Sequence, residues 1–320
     1  MPTSGMVREM RFGRGIGYLL AGLALCGITA CSGESGGVTP AQAERTAAEV
    51  SQAHAVAKSQ PVTKLLVFIE ENHSLDQMRI EMPYTFALAE EFGHATNYTA
   101  ITHPSLPNYL AIATGKTHGI TDDKDPAAHP IRGRSVFGQA VARDKTAALY
   151  ADGMPTNCAL QNGGNDYAVR HNPWAYIVNE RVGCEKYDVR VRRLRRDIEE
   201  GRLPNVGMVI PNTCHDAHDC SLAQADVWFK NQMTRIFRGA DWRSGRLAVV
   251  LTADEDDRSQ GNKVLTVVVH PSQRGTIVTE PLNHFSLAKL YSDVIHAPDL
   301  GKAATAPSMS AAFGLPIAAK

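Results

Sequence analysis

An α/β fold with a mostly parallel central sheet, flanked by helices on both faces, is what this sequence predicts, and two observations carry that expectation. Apolar runs of strand length recur at Lys64–Ile69, Ala147–Tyr150, Val206–Ile210, Leu247–Leu251 and Val264–Val269. Near-continuous apolar runs of this length suit strands buried on both faces. Helical stretches lie between them, and strands alternating with helices imply parallel crossovers. The 320 residues suffice for one large domain of this kind, and no internal repeat or second domain boundary is visible.

The chain opens with Arg8, Arg11 and Arg14 ahead of an apolar stretch from Ile16 to Ala30. A membrane span needs about 20 apolar residues, so residues 1–30 read as an export signal, complete from Met10 as well as from Met1. Ile28-Thr29-Ala30-Cys31 resembles the bacterial lipobox, which implies acylation of Cys31 and a cell-surface lipoprotein. The other reading is an ordinary signal cleaved near Ala30 and a secreted protein; Cys26, after Ala24-Leu25, is a poorer lipobox. Residues 31–60 are small, polar and Ala-rich, a tether that turns helical from Pro40 to Lys58. Residues 61–320 are the single domain.

Within that domain Pro83–Phe92 carries Pro in its first turn and Gly93 at its end, Ser135–Arg143 opens on a serine cap, and Ser221–Phe237 and Ser286–Ile295 are amphipathic. Arg190 to Arg196 reads as a surface helix ended by Gly201, a solvated basic face or one that attracts lipid headgroups or phosphorylated substrate.

With Cys26 in the signal and Cys31 as the lipid anchor, Cys158, Cys184, Cys214 and Cys220 remain. Four cysteines outside the cytoplasm make two disulfides with three pairings open. Cys158–Cys184 with Cys214–Cys220 is preferred, because it keeps each bridge local.

Basic and acidic side chains number 33 each. Three arginines and one glutamate leave with residues 1–30, so 30 basic and 32 acidic groups remain. A duplex binder needs a cationic surplus, so nucleic acid is excluded as the main partner.

Polar clusters follow three of the apolar runs: Glu70-Glu71-Asn72-His73, Pro211 to Asp219, and Thr252 to Asp257. Ligand sites in open α/β sheets form beyond the carboxyl ends of strands. Asp254-Glu255-Asp256-Asp257 repel one another unless solvated or joined by a cation, and hard oxygen donors suit Mg, Ca or Mn and tolerate Zn. Ser105 precedes an apolar helix, Leu106–Ala113, where it is either an N-cap or a nucleophile at an anion-favouring helix terminus. His215, Asp216, His218 and Asp219 sit between two cysteines, with Asp219 placed to cap the next helix and His218 a ligand or general acid. Asn283 caps the last helix and leaves His284 in its first turn.

Taken together, Glu71-Asn72-His73-Ser74, Thr102-His103-Pro104-Ser105-Leu106-Pro107-Asn108-Tyr109-Leu110-Ala111, Arg170-His171-Asn172-Pro173-Trp174, Ile210-Pro211-Asn212 with Asp216-Ala217-His218-Asp219, Asp254-Glu255, and Asn283-His284-Phe285 resemble the bacterial and fungal phosphoesterase family. That family holds secreted acid phosphatases and phospholipases C within the alkaline-phosphatase superfamily. The resemblance spans Lys64 to Pro298 and is nearest the mycobacterial-type acid phosphatases. Ala253, Arg258 and His215 depart from it, standing where Trp, Gly and Asn are common.

The resemblance implies a divalent cation held by Glu71, Asn72, Asp254 and Glu255, with Asp216 a further ligand. It also implies Ser105 as nucleophile, His218 and His284 near the phosphate or leaving group, and Asn72, His103, Asn108 and His171 against substrate. The expected activity is metal-dependent phosphomonoester hydrolysis through a phosphoserine, with phosphatidylinositol 3-phosphate among the substrates. The alternatives are a phospholipase C-type phosphodiesterase and a surface lipoprotein that binds phosphate or cation without turnover. Oligomeric state is left open.

Overall fold

The computed structural model describes residues 39–318. The expected export signal, Cys26, Cys31 and the start of the tether lie outside the described residues. No helix among the described residues is long and apolar enough to cross a membrane.

The strands among the described residues are numbered in chain order: β1 (Lys64–Glu70), β2 (Gly93–Ala95), β3 (Tyr98–Thr99), β4 (Ala147–Ala151), β5 (Asp188–Arg190), β6 (Val206–Ile210), β7 (Leu247–Ala253), β8 (Thr266–Val269), β9 (Thr276–Val278) and β10 (Leu282–Asn283). Among the described residues eight of them form one sheet in the order β5-β4-β6-β1-β7-β8-β2-β9, while β3 and β10 pair separately. Strands β5, β4, β6, β1 and β7 are mutually parallel, and β8 runs antiparallel to both β7 and β2. The five apolar runs all become strands. Every residue of β4, β6 and β7 is buried, as a parallel strand covered on both faces requires. The register puts Val189, Tyr150, Val209, Phe68 and Leu251 in one row across five strands, so their carboxyl ends form one rim.

Helices Pro83–Glu91, Arg192–Glu199 and Leu222–Arg238 pack in one group, and Ser105–Thr114, Val136–Val141 and His284–Val294 in another. The first group joins β1 through Phe68, which meets Phe229 edge-on at 5.0 Å. Ser135, Ser221 and Asn283 cap their helices through side-chain oxygens. Ser221 therefore performs the capping for which Asp219 was also placed.

The helix expected in the tether runs Pro40–Ala55 and opens with a Thr39–Gln42 capping box. It is docked. Val50 and His54 are buried, Trp242 Nε1 donates to Ala53 O at 3.0 Å, and His54 Nδ1 lies 2.7 Å from Glu91 Oε1. This part of residues 31–60 thus packs against the helices of the domain.

Both disulfides form with the local pairing, Cys158–Cys184 and Cys214–Cys220.

Candidate active site

β1 ends at Glu70, and Glu71 follows it directly at the rim. Asn72 follows at φ +57°, a left-handed conformation that Asn tolerates better than most residues. The turn brings Asn72 N–H within 3.2 Å of Asp254 Oδ1 and its side-chain amide within 3.1 Å of Glu71 Oε2. Asp254 leaves β7 with its own N–H donating to Glu70 O at 3.0 Å. Burial, followed by the neighbouring Glu255, holds the Asp254 carboxyl well above the usual carboxylate range.

Ser105 is the first residue of a helix buried along its whole length, Ser105–Thr114, and Pro104 occupies the cap position. Its Oγ donates to Glu71 Oε2 at 3.0 Å, and Tyr109, one turn on, donates to Glu71 Oε1 at 2.8 Å. Two of the first four positions of the helix are closed to an anion. Leu106 N–H already donates to Asp123 Oδ1 at 2.9 Å, and Pro107 has no N–H.

The Arg170–Asn172 segment brings in His171, whose Nε2 lies 3.1 Å from Glu71 Oε1 and Nδ1 3.2 Å from Asp216 Oδ2. These approaches are close, but neither nitrogen makes an aligned hydrogen bond. The ring stacks on Tyr109 at 5.1 Å, and burial pushes it well below the usual histidine range, with Arg170 and His218 adding to the shift. Asp216 sits in the loop closed by Cys214–Cys220, and its backbone carbonyl accepts from Glu71 N–H at 2.8 Å. Burial pushes its carboxyl up to about 7.

Glu255 is likewise pushed up to about 8, by burial first and then by Glu71 and Asp123. It accepts from Asn108 Nδ2 at 3.0 Å, and His103 Nδ1 lies 3.0 Å from its other oxygen. Glu71 rises well above its normal range through burial and the proximity of Asp254 and Asp216.

Of the residues expected from sequence, Glu71, Asn72, Ser105, His171, Asp216, Asp254 and Glu255 share one polar network at the rim. The others stand differently. Asn108 Oδ1 accepts from Ile101 and Thr102 N–H while its amide donates to Thr102 O, Pro104 O and Glu255, so it knits the loop ahead of Ser105. His103 spans Glu255 and Asp256. His284 is buried, with Nδ1 against Tyr98 OH at 3.0 Å and Nε2 against Asp254 O at 2.6 Å; burial lowers it to about 4. Its ring braces the Asp254 backbone. His218 lies at the exposed mouth, with Nδ1 2.7 Å from Asp219 Oδ1 and Nε2 3.1 Å from Arg170 Nη2.

Tyr109, Asp123 and Arg170 belong to the network without having been singled out. Tyr109 had a signal, since it lies four residues after Ser105 and hence on the same helix face. Arg258 adopts φ +69°, where a side chain costs about 1–2 kcal/mol, which explains why glycine suits that position.

The chemistry of these donors, buried oxygens and imidazole nitrogens without partners, is of the kind a cation takes. Glu71, Asp216, Asp254 and Glu255 are all buried, and Asp254 Oδ2, Asp216 Oδ2 and both His171 nitrogens lack a hydrogen-bond partner. Buried polar groups are otherwise almost always satisfied. No three of these residues bring one donor atom each within 4.8 Å of one another. Among the described residues the trio that does is Cys158, Cys184 and Asp188, and its cysteines are a disulfide.

Residues 78–296 match the profile of the phosphoesterase family. The chain belongs to that family. The match includes Ser105, Asp216 and Asp254-Glu255, while Glu71 and Asn72 precede it. A phosphatidylinositol-3-phosphatase of Mycobacterium tuberculosis is 28% identical over 256 residues, covering 78% of this chain and 82% of that protein. A probable acid phosphatase of Kluyveromyces lactis is 25% identical over 274 residues, covering 80% of this chain but 64% of the yeast protein. In fold the chain resembles a protein of the alkaline phosphatase superfamily from Vibrio parahaemolyticus, with TM-score 0.54, 10% identity, and coverage of 84% of this chain and 80% of that one. As a member of the phosphoesterase family the chain is a phosphoric ester hydrolase.

Proposed function

We propose that this phosphoesterase is a cation-dependent phosphomonoesterase that works through a phosphoserine at Ser105. The observation that carries the reading is the 3.0 Å hydrogen bond from Ser105 Oγ to Glu71 Oε2, inside a network of buried carboxylates. Glu71, Asn72, Asp254 and Glu255 would hold a divalent cation, with Asp216 and His171 beside it. When bound, such an ion supplies Lewis-acid stabilisation of charge on phosphoryl oxygens.

The chain's own residues do the rest. Glu71 orients the Ser105 hydroxyl and stands where it can receive its proton. Oγ attacks phosphorus in line, the bond to the leaving alcohol breaks, and an acid at the mouth protonates that oxygen. His218 fills that role when it is protonated at Nε2, the atom that accepts from Arg170 in this structure, with Asp219 holding its Nδ1. Water then cleaves the Ser105–phosphate bond and releases phosphate. Asn72 lies against the phosphate, and His284 acts by bracing Asp254.

The names of the mycobacterial relative, a phosphatidylinositol-3-phosphatase, and of the yeast relative, a probable acid phosphatase, support a reading as a monoesterase over one as a phospholipase C-type diesterase. Two disulfides and the arginine-led leader support work outside the cytoplasm, with Cys31 as the site of a lipid anchor. Phosphate release from p-nitrophenyl phosphate, phosphatidylinositol 3-phosphate and p-nitrophenylphosphorylcholine separates these readings. Ser105→Ala is expected to lower turnover of the monoesters by about a thousandfold or more while leaving the melting temperature near that of the parent. Near-normal turnover in that variant would overturn the assignment.

A further inference from the structure

A cavity of about 440 Å³ opens beside the edge strand β5, lined by Asn157, Val189, Arg190, Arg192, Arg193 and Arg196. Four arginines therefore line one small space, and no acidic residue lines it. Arg193 is neutralised by Asp197, its Nε lying 2.7 Å from Oδ1. Arg190 donates through Nε to Met154 O at 3.0 Å, which fixes the group and leaves its outer nitrogens free of carboxylate. Arg192 and Arg196 have no ion-pair partner among the described residues.

A solvated basic helix face explains this poorly. Arg192 and Arg196 are four residues apart, so two like charges share one face, and Arg192 and Arg193 occupy the first turn of the helix Arg192–Glu199. Both arrangements are unfavourable, the first by mutual repulsion and the second against the helix dipole. An anion in the cavity relieves both. Guanidinium forks match phosphate oxygens in geometry as well as charge.

The place of the cavity is informative. β5 is parallel to β4, β6 and β1, so Arg190 leaves the sheet on the same rim as Glu71. Three strand steps separate β5 from β1, about 14 Å at the usual spacing. The wall is fixed as well. Asn157 donates to Glu185 O at 3.2 Å, and the Cys158–Cys184 bridge joins the two segments involved.

We propose that this cavity is a second phosphate-binding site, which takes a phosphate group other than the one hydrolysed. The choice of ligand rests on the reading of the main site as a phosphate-ester centre. The phosphate is carried either by a soluble polyphosphate or by the headgroups of an anionic lipid surface.

Binding without turnover tests it. The full chain and its Arg192→Gln/Arg196→Gln variant are compared for binding of inositol hexakisphosphate by calorimetry and of phosphatidylglycerol–phosphatidylcholine vesicles by sedimentation. Arg195→Gln/Arg235→Gln removes the same charge from the neighbouring surface and serves as the control. The first variant is expected to weaken binding about a hundredfold, since each guanidinium–phosphate contact is worth roughly tenfold. The control is expected to bind nearly as the parent, and both to keep p-nitrophenyl phosphate turnover. Weakening in the soluble arm alone assigns a free polyphosphate, and in the vesicle arm alone a lipid surface. Unchanged binding in both arms, or equal weakening in the control, overturns the proposal. An inactive enzyme leaves this comparison intact, so failure of the catalytic reading is seen separately.

Discussion

Tyr109 donates to Glu71 Oε1 at 2.8 Å, on the carboxylate whose other oxygen accepts from Ser105. One helix turn therefore fixes both oxygens of the group that orients the nucleophile. Tyr109→Phe keeps the ring that stacks on His171 and removes the donor. It is expected to lower kcat with little change in KM, and to cost about 1–3 kcal/mol of stability for the unsatisfied buried oxygen. Steady-state kinetics and denaturant melts check it; unchanged kcat would deny the hydroxyl its positioning role.

Removal of cations should destabilise the protein, and more so as pH rises. Without a cation, burial keeps Glu71, Asp216, Asp254 and Glu255 protonated above their unfolded range. Between about pH 4, where unfolded carboxyls titrate, and about pH 8, the native chain binds more protons, so stability falls with pH. A bound cation holds the same carboxylates ionised and reverses that loss. At a hundredfold excess over its Kd the ion contributes about 2.7 kcal/mol. The gap in melting temperature between cation-loaded and chelated protein should widen from pH 5 to pH 8. A gap of zero at both would remove the case for a cation.

Asp188 is a second buried carboxyl, pushed up to about 8 chiefly by burial. It accepts from Asn172 Nδ2 at 2.8 Å, and its other oxygen has no partner. Its folded value is raised, so its contribution is retained in acid and lost as pH rises toward 8, by at most about 1.4 kcal/mol per pH unit. Asp188→Asn should flatten this part of the pH–stability curve, as thermal melts at pH 5 and pH 8 would show. An unchanged slope would mean that Asp188 does not contribute to it.

Arg258 makes a backbone prediction. At φ +69°, Arg258→Gly should stabilise the chain by about 1 kcal/mol, whereas Arg258→Ala, held at the same φ, should not. Equal effects of the two substitutions in urea melts would point to the side chain instead.

The five apolar runs were legible as strands because burial on both faces leaves them almost no polar residue, and the clusters after three of them mark the rim. Strand direction was not legible. β8 is as apolar as β7, and only its partners make it antiparallel. The three-residue strands β2, β5 and β9 are too short for periodicity to register. In the site, Ser105, Asp254 and Glu255 stood out by local pattern. The roles of His284 and Asn108 depend on partners far along the chain or on loop closure, Tyr98 and the Asp254 carbonyl for one and the loop before Ser105 for the other. Asp123 reaches Leu106 across a loop whose path no local pattern specifies.

The Cys214–Cys220 bridge has a consequence in time. It closes the loop that carries Asp216 and His218, so a newly made chain in a thiol-rich compartment lacks that closure. Competence to turn over substrate then follows oxidation, and protein produced in a reducing cytoplasm should gain activity when an oxidant is supplied.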